Sequence, residues 1–165
     1  MRLLRPFSTF GRYEMITKTS PSTISQYLIP KHIKQPPYTR TNGIPHLNLT
    51  IPLKNKLEII AVREACLLAK HILVFASTIA VPGISTEEID KQGSSIPMDN
   101  TFDWIVFEEI IRHGAYPSPF KYMGYKKSIC TSVNNVVVHG IPDSRLLEDG
   151  DIVNIDITVY LNGYL

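Results

Sequence analysis

The stretch that most constrains this chain is 152–161. Val153, Ile155, Ile157 and Val159 alternate there with Asn154, Asp156, Thr158 and Tyr160. Strict alternation of this kind marks a strand with one apolar face and one polar face. A carboxylate at the centre of a β-branched strand is costly to bury unless it is paired or bound to a metal. Asp156 is therefore either a metal-binding or catalytic carboxylate or a solvent-facing residue of an edge strand. Alternation alone is compatible with both.

The elements before it divide into helices and short strands. Over 56–79, apolar residues recur at three- and four-residue steps (Leu57, Ile60, Ala61, Leu67, Leu68, Ile72, Phe75), with Arg63, Glu64 and Lys70 on a wetter side. This predicts a helix stopped by Pro82 and Gly83, with Cys66 on its apolar side and His71 at its surface or at the core edge. Ser85 with Glu88 three residues on forms a capping box for a second helix. The run 91–103 (KQGSSIPMDNTFD) cannot continue that helix, because it carries Gly93 and Pro97. Helical periodicity resumes at Trp104 and closes at Gly114. A loop over 115–127 follows, with Tyr122 and Tyr125 among aromatics whose simplest reading is loop packing. Two β-rich runs, 130–133 and 136–139, flank Asn134 and Asn135, which predicts a tight hairpin. His139 closes the second run, either reaching into a cleft or satisfied within its turn. The expected class is α/β (α+β), with antiparallel strands packed against helices and preceded by an extended arm.

Charge is unevenly distributed. Residues 1–57 hold nine Lys/Arg and one acid, Glu14, whereas 58–165 hold eight Lys/Arg and fourteen acids. The opening 1–28 is Arg-rich, hydroxyl-rich and acid-poor, as organelle import requires, although a disordered basic tail has the same composition. Residues 29–55 carry five prolines and read as an arm over the domain surface. Basic residues are not interleaved with aromatics, so no nucleic-acid partner is expected. No apolar run reaches membrane-spanning length; the best, 72–84, contains Pro82 and Gly83. Cys66 and Cys130 form no disulfide framework, which fits a reducing compartment.

Several runs together resemble type 1 methionine aminopeptidases: 127–135 (KSICTSVNN), 139–143 (HGIPD) and 147–160 (LEDGDIVNIDITVY). Shorter ones agree, namely 30–38 (PKHIKQPPY), 63–65 (REA), 86–90 (TEEID) and 115–119 (AYPSP). The basic leader resembles that of the organellar branch, mitochondrial matrix above all, with plastids as the other address. The resemblance implies the N-terminal half of a pita-bread fold, whose two pseudo-symmetric halves surround two divalent metal ions (Co, Mn, Fe or Zn). It implies hydrolysis, by a metal-activated hydroxide, of the initiator methionine from nascent polypeptide N-termini. The expected form is a monomer, with the ribosome as a further partner. Asp156 matches a bridging metal ligand and His139 the histidine that contacts substrate at the scissile bond. Tyr122, Tyr125 and Cys130 match the pocket for the methionine side chain.

Departures from the family carry expectations of their own. After 162–164 (NGY) the family continues His-Gly-Asp, where this chain has Leu165 and no further ligand. One carboxylate cannot hold two divalent ions, so the chain is expected to be a truncated domain (56–165) that retains no metal pair and is inactive alone. Residues 91–103 read as a foreign insertion, and splicing or gene prediction would explain both anomalies. Lys121 and Met123 occupy a normally Gly-rich loop, Lys126 stands where the family favours Pro, and Val138 where it often has Cys. Competing readings are a non-enzymatic binding module and a non-functional fragment that leaves the apolar back of 153–159 and a strand edge bare.

Overall fold

The molecule is described by a computed structural model over residues 16, 27–45, 50–90 and 106–165. The leader, apart from Ile16, Tyr27 and Leu28, and all of 91–103 lie outside the described residues. Its longest element is α1 (Lys56–Ile79), started by Asn55. The Asn55 side chain accepts from the backbone N–H groups of Leu57 (2.9 Å) and Glu58 (3.0 Å), and Glu58 reaches back to the Asn55 N–H (2.8 Å). Two orphan donors of the first turn are thereby satisfied. α1 buries Ala65, Ile72 and Ala76, with Leu68, Ala69, Phe75 and Ile79 half-buried beside them. The inward stripe keeps Leu68, Ile72 and Phe75 of the expected set, but Ala65, Ala69 and Ala76 take the place of Leu57, Ile60 and Leu67. Cys66, Leu57, Ile60, Leu67 and His71 all face outward, which corrects the placement of Cys66 on the apolar side.

α2 (Thr86–Asp90) begins with the predicted capping box: Ser85 Oγ accepts from the Glu88 N–H at 3.1 Å, and the Glu88 carboxylate accepts from the Ser85 N–H at 2.7 Å. α3 (Val106–Arg112) ends at Gly114, whose φ of +74° turns the chain; the Ala115 N–H then caps the Ile110 carbonyl at 3.2 Å. α3 packs against α1 and α2. Ile72, Ala76, Ile89, Val106, Ile110, Ala115, Ile129, Val133, Leu147 and Val159 form the main core.

Two antiparallel ribbons lie against these helices. β2 (Cys130–Val133) pairs with β3 (Val153–Asp156), and β1 (Tyr116–Pro117) pairs with β4 (Val159–Tyr160). Three expectations change here. The strand expected over 152–161 is broken after Asp156, where the chain leaves β2 and rejoins β1. The loop over 115–127 therefore supplies a strand, β1, and a 3-10 turn, Tyr122–Gly124. Residues 136–139 form no strand, so the hairpin is absent. Asn134 does take a left-handed φ of +53°, but its side chain bonds Asp151 at 2.7 Å and the Ile152 N–H at 3.0 Å, which brings β3 alongside β2 instead. The back of β3 is not bare either. Val153, Ile155 and Ile157 pack on the core and Val159 is buried, whereas Ile152, Val137 and Val138 are exposed.

The arm is extended apart from one 3-10 turn, Pro37–Arg40. It is anchored by aromatic side chains. Tyr38 donates to the Ser118 carbonyl at 2.5 Å, and Ile33 packs with Tyr116 and Tyr160. Ordered contacts begin before the arm boundary read at residue 29, because Tyr27 is buried against Phe107 and Phe120 at 4.7 and 5.0 Å between ring centroids. Its hydroxyl donates to Asp90. Asp90, wholly buried, also accepts from the Ser128 N–H (2.8 Å), Ser128 Oγ (2.6 Å) and the Ile129 N–H (3.0 Å). Burial pushes its carboxyl above the usual range, and these donors oppose the shift. Lys127, also buried, is paired with Glu87 at 3.0 Å. One side chain therefore joins the arm, the end of α2 and the entrance to β2.

Candidate functional site

The register of β2 on β3 sets the geometry. Cys130 is the direct partner of Asp156, and Ser132 of Asn154. Directly opposed residues point to the same side. Cys130, Ser132, Asn154 and Asp156 therefore share one face, while Thr131, Val133, Val153 and Ile155 turn toward the helices. The front face is graded: Cys130 is buried, whereas Asn154 and Asp156 are exposed.

Tyr125 closes the buried end of this face. Its hydroxyl lies 3.0 Å from the Ile129 carbonyl and 3.1 Å from the Gly140 carbonyl, bridging the entrance of β2 and the turn after His139. Burial pushes the Tyr125 phenol up, and the neighbouring Cys130 and Asp156 push it further. Burial likewise raises the Cys130 thiol, with the Asp156 charge adding to it and Tyr125 opposing it. Cys130 is consequently a neutral thiol at physiological pH. A neutral thiol is a polarisable apolar group and a poor nucleophile.

His139 is exposed, with a φ of +54° that few non-glycine residues adopt. The next residue is clamped: the Thr131 N–H donates to the Gly140 carbonyl at 2.9 Å, and the Gly140 N–H donates to Ser132 Oγ at 3.1 Å. A Cβ on Gly140 would stand 2.1 Å from the Thr131 carbonyl oxygen. The turn holding His139 is thus fixed against β2, beside the Cys130 and Asp156 face. Tyr122 is half-exposed and makes an edge-on contact with Tyr38 of the arm at 5.3 Å, on the far side of the Lys121–Gly124 turn. The fold brings Tyr125, Cys130 and Asp156 together, leaves His139 exposed on the turn whose next residue, Gly140, is bonded to β2 and Tyr125, and ties Tyr122 to the arm.

Whether these residues fit a metal pair is decided by the donors. Among the described residues no group of three His, Cys, Asp or Glu ligand atoms within coordination reach includes Asp156. The front face offers one exposed carboxylate, a buried thiol and neutral amide and hydroxyl groups. That set fits a single ligand contributed to a metal centre, not a pair of ions held by this chain.

A different group does converge. His71, Glu109 and His113 place ligand atoms within 4.8 Å of one another. Sequence reasoning put His71 at the helix surface or core edge and missed its partners. The available signal was Glu109 on α3 and His113 four residues on, just past the helix end, with the acid on the side that faces the core.

The sequence profile of metallopeptidase family M24 matches residues 61–165. The chain is 49% identical over 140 residues to "Methionine aminopeptidase 1D, mitochondrial" of Homo sapiens, covering 85% of this chain and 38% of that protein. It is 49% identical over 138 residues to the protein of the same name in Danio rerio, covering 84% of this chain and 37% of that protein. The crystal structure of methionine aminopeptidase from Rickettsia prowazekii superposes with a TM-score of 0.59 at 37% identity, covering 68% of this chain and 40% of that one. The chain spans well under half the length of the proteins it matches.

Proposed function

Because the chain belongs to metallopeptidase family M24, a family of divalent-metal enzymes, we propose that residues 1–165 supply the methionine-pocket side and one metal ligand of an organellar methionine aminopeptidase. The observation that carries this reading is the register that sets Cys130 directly across from Asp156, with Tyr125 covering the thiol. A neutral thiol and a phenol that stays protonated form an apolar, polarisable wall suited to a thioether side chain. The carboxylate of Asp156, exposed two residues beyond Asn154, is placed to ligate a metal at the mouth of that wall. His139, on its clamped turn, is positioned to contact the peptide bond following the methionine. Tyr122 is assigned to the outer rim of the pocket.

The substrate in this reading is the N-terminus of nascent polypeptides and the compartment is the mitochondrial matrix; the relatives' names support a mitochondrial address, and the basic leader agrees with it. The metal pair, whether Co, Mn, Fe or Zn, belongs to the assembled site. In this reading these 165 residues are inactive by themselves, because among the described residues Asp156 is the one carboxylate on the front face of β2 and β3.

The test is a Met-Ala peptide assay with Mn2+ or Co2+. It compares the 165-residue chain with the same chain extended by the region of the human relative that lies beyond the match. We expect cleavage by the extended chain only, abolished by Asp156→Asn. Turnover by the 165 residues alone overturns the inactivity assignment. No turnover by a folded, metal-loaded extended chain overturns the peptidase assignment.

A further inference from the structure

We propose that His71, Glu109 and His113 form a mononuclear site for a zinc-class transition-metal ion on the helical side of the domain, separate from Asp156. Glu109 lies on α3 and is only 3% exposed, yet its Oε1 faces two imidazoles. His71 Nε2 of α1 stands 3.2 Å from it, and His113 Nδ1 stands 3.5 Å from it. The two rings are 5.1 Å apart. A tetrahedral ion with bonds of roughly 2.1 Å holds its ligand atoms about 3.4 Å apart. Both Glu109–His spacings are therefore already those of a coordination edge, and modest ring rotation closes the third. Two imidazoles and one carboxylate suit zinc and its neighbours in the transition series, whereas calcium and magnesium demand more oxygen ligands.

Each ligand is held by something rigid. Glu109 and His113 stand one helical turn apart, so they share a face. α1 and α3 pack on each other, which fixes the approach of His71. His113 is fixed at the backbone, where its N–H donates to the Glu109 carbonyl at 3.3 Å; its Nδ1 also lies 2.9 Å from that carbonyl, a contact the ring gives up by rotating, with the proton on Nε2, when Nδ1 takes the ion. The outer side is open, since His71 is 56% exposed, and water can fill a fourth position there.

Arg112 is the competing cation. Its Nε donates to Oε2 at 2.9 Å and its Nη2 to Oε1 at 2.7 Å. The Arg112 side chain is more than half exposed, so Nη2 can leave Oε1 for water while Nε stays on Oε2. In that arrangement Arg112 orients the ligating carboxylate, as outer partners of metal ligands usually do. The Arg112–Glu109 pair does not by itself explain why two imidazoles, one from α1 and one from the turn after α3, converge on one oxygen. Asp156, by contrast, lies on the face of β3 turned away from the core to which α1 contributes, so the two sites do not share ligands.

The experiment is calorimetric titration of Zn2+ at neutral pH into the 165-residue chain and its His71→Ala, His113→Ala and Asp156→Asn variants. Co2+ spectra serve as a second readout, and thermal melts confirm that each variant folds. We expect one ion per chain, tetrahedral Co2+ bands, and binding weakened at least about a hundredfold by either histidine variant, because even outer partners of a ligand cost up to that much. Asp156→Asn leaves the binding unchanged. Absence of zinc binding, binding by either histidine variant as tight as that of the parent chain, or loss of the ion on Asp156→Asn would each overturn the proposal.

Discussion

The two sides of the β2–β3 ribbon follow opposite rules. Behind it, α1, α2 and α3 begin or end with satisfied caps and enclose a core of aliphatic side chains. In front, the backbone takes left-handed φ at Lys121, Met123, Asn134 and His139, none of them glycine, and the side chains that matter are exposed or polar. A left-handed non-glycine residue costs roughly 1–2 kcal/mol. The front therefore holds its shape by being clamped to the back, and the clamps are few: Asp90 at the seam, Gly140 beside His139, and Asn134 with Asp151 at the far end.

The largest effect is expected at the seam. Asp90→Ala leaves the Ser128 and Ile129 N–H groups and the Tyr27 hydroxyl without their acceptor, and Lys127 loses a nearby counter-charge at 3.9 Å. We expect a loss of about 4 kcal/mol in urea unfolding, in the range for breaking a buried charged network. A loss under about 1 kcal/mol would mean that the front and back are held together elsewhere. Gly140→Ala comes next. The new methyl would meet the Thr131 carbonyl oxygen, and about 3 kcal/mol should be lost to overpacking. If the clamp alone is affected, the protection of the Thr131 amide against hydrogen exchange falls first.

This contrast explains what the sequence disclosed. The back was legible because propensity, capping and periodicity agreed there: the ends of α1, the Ser85 capping box and the Gly114 stop all follow from local chemistry. The front was less legible because its pairing is non-local. The Asn134–Asn135 turn looked like a hairpin, but whether β2 pairs with 136–139 or with β3 depends on Asp151 and Ile152, some seventeen residues further on. Of the expected inward face of α1, Leu68, Ile72 and Phe75 hold, whereas Leu57, Ile60 and Leu67 give way to Ala65, Ala69 and Ala76. Of the candidate site, Asp156, Cys130 and His139 could be picked out as candidates, but the pairing of Cys130 with Asp156 could not, since register cannot be deduced from one strand.

The third prediction concerns pH. Burial raises the Asp151 carboxyl, but hydrogen bonds from Arg145 (2.6 Å), the Glu148 N–H (2.9 Å) and Asn134 (2.7 Å), with the Arg145 charge, outweigh it and hold it below the usual carboxylate range. A depressed folded-state pKa contributes stability that is present above the ordinary carboxylate pKa and is lost as pH falls through the depressed one. Asp151→Asn should therefore cost about 1.5 kcal/mol at neutral pH and progressively less on acidification, until variant and parent converge. A cost that stays constant from neutral pH to below pH 3 would show that the pair holds the β3 register by shape rather than charge.

The smallest effect is the sharpest test of the front's strain. Met123 has a φ of +47° and is 74% exposed, so its side chain adds little packing to lose. Its N–H bonds the Gly43 carbonyl at 2.9 Å, and Gly43 cannot carry a Cβ, because one would stand 2.2 Å from the Lys121 carbonyl oxygen. The turn is pinned to the arm in a conformation that suits glycine. Met123→Gly relieves the left-handed penalty but adds freedom to the unfolded chain, and the two nearly cancel. We expect a net gain of about 0.5 kcal/mol, additive with Lys121→Gly within experimental error only if the arm contact survives. A clear loss instead would show that the Met123 side chain, not the backbone, holds the turn. The front would then owe its shape to its own contacts, and the division between a self-sufficient back and a clamped front would fail at its weakest point.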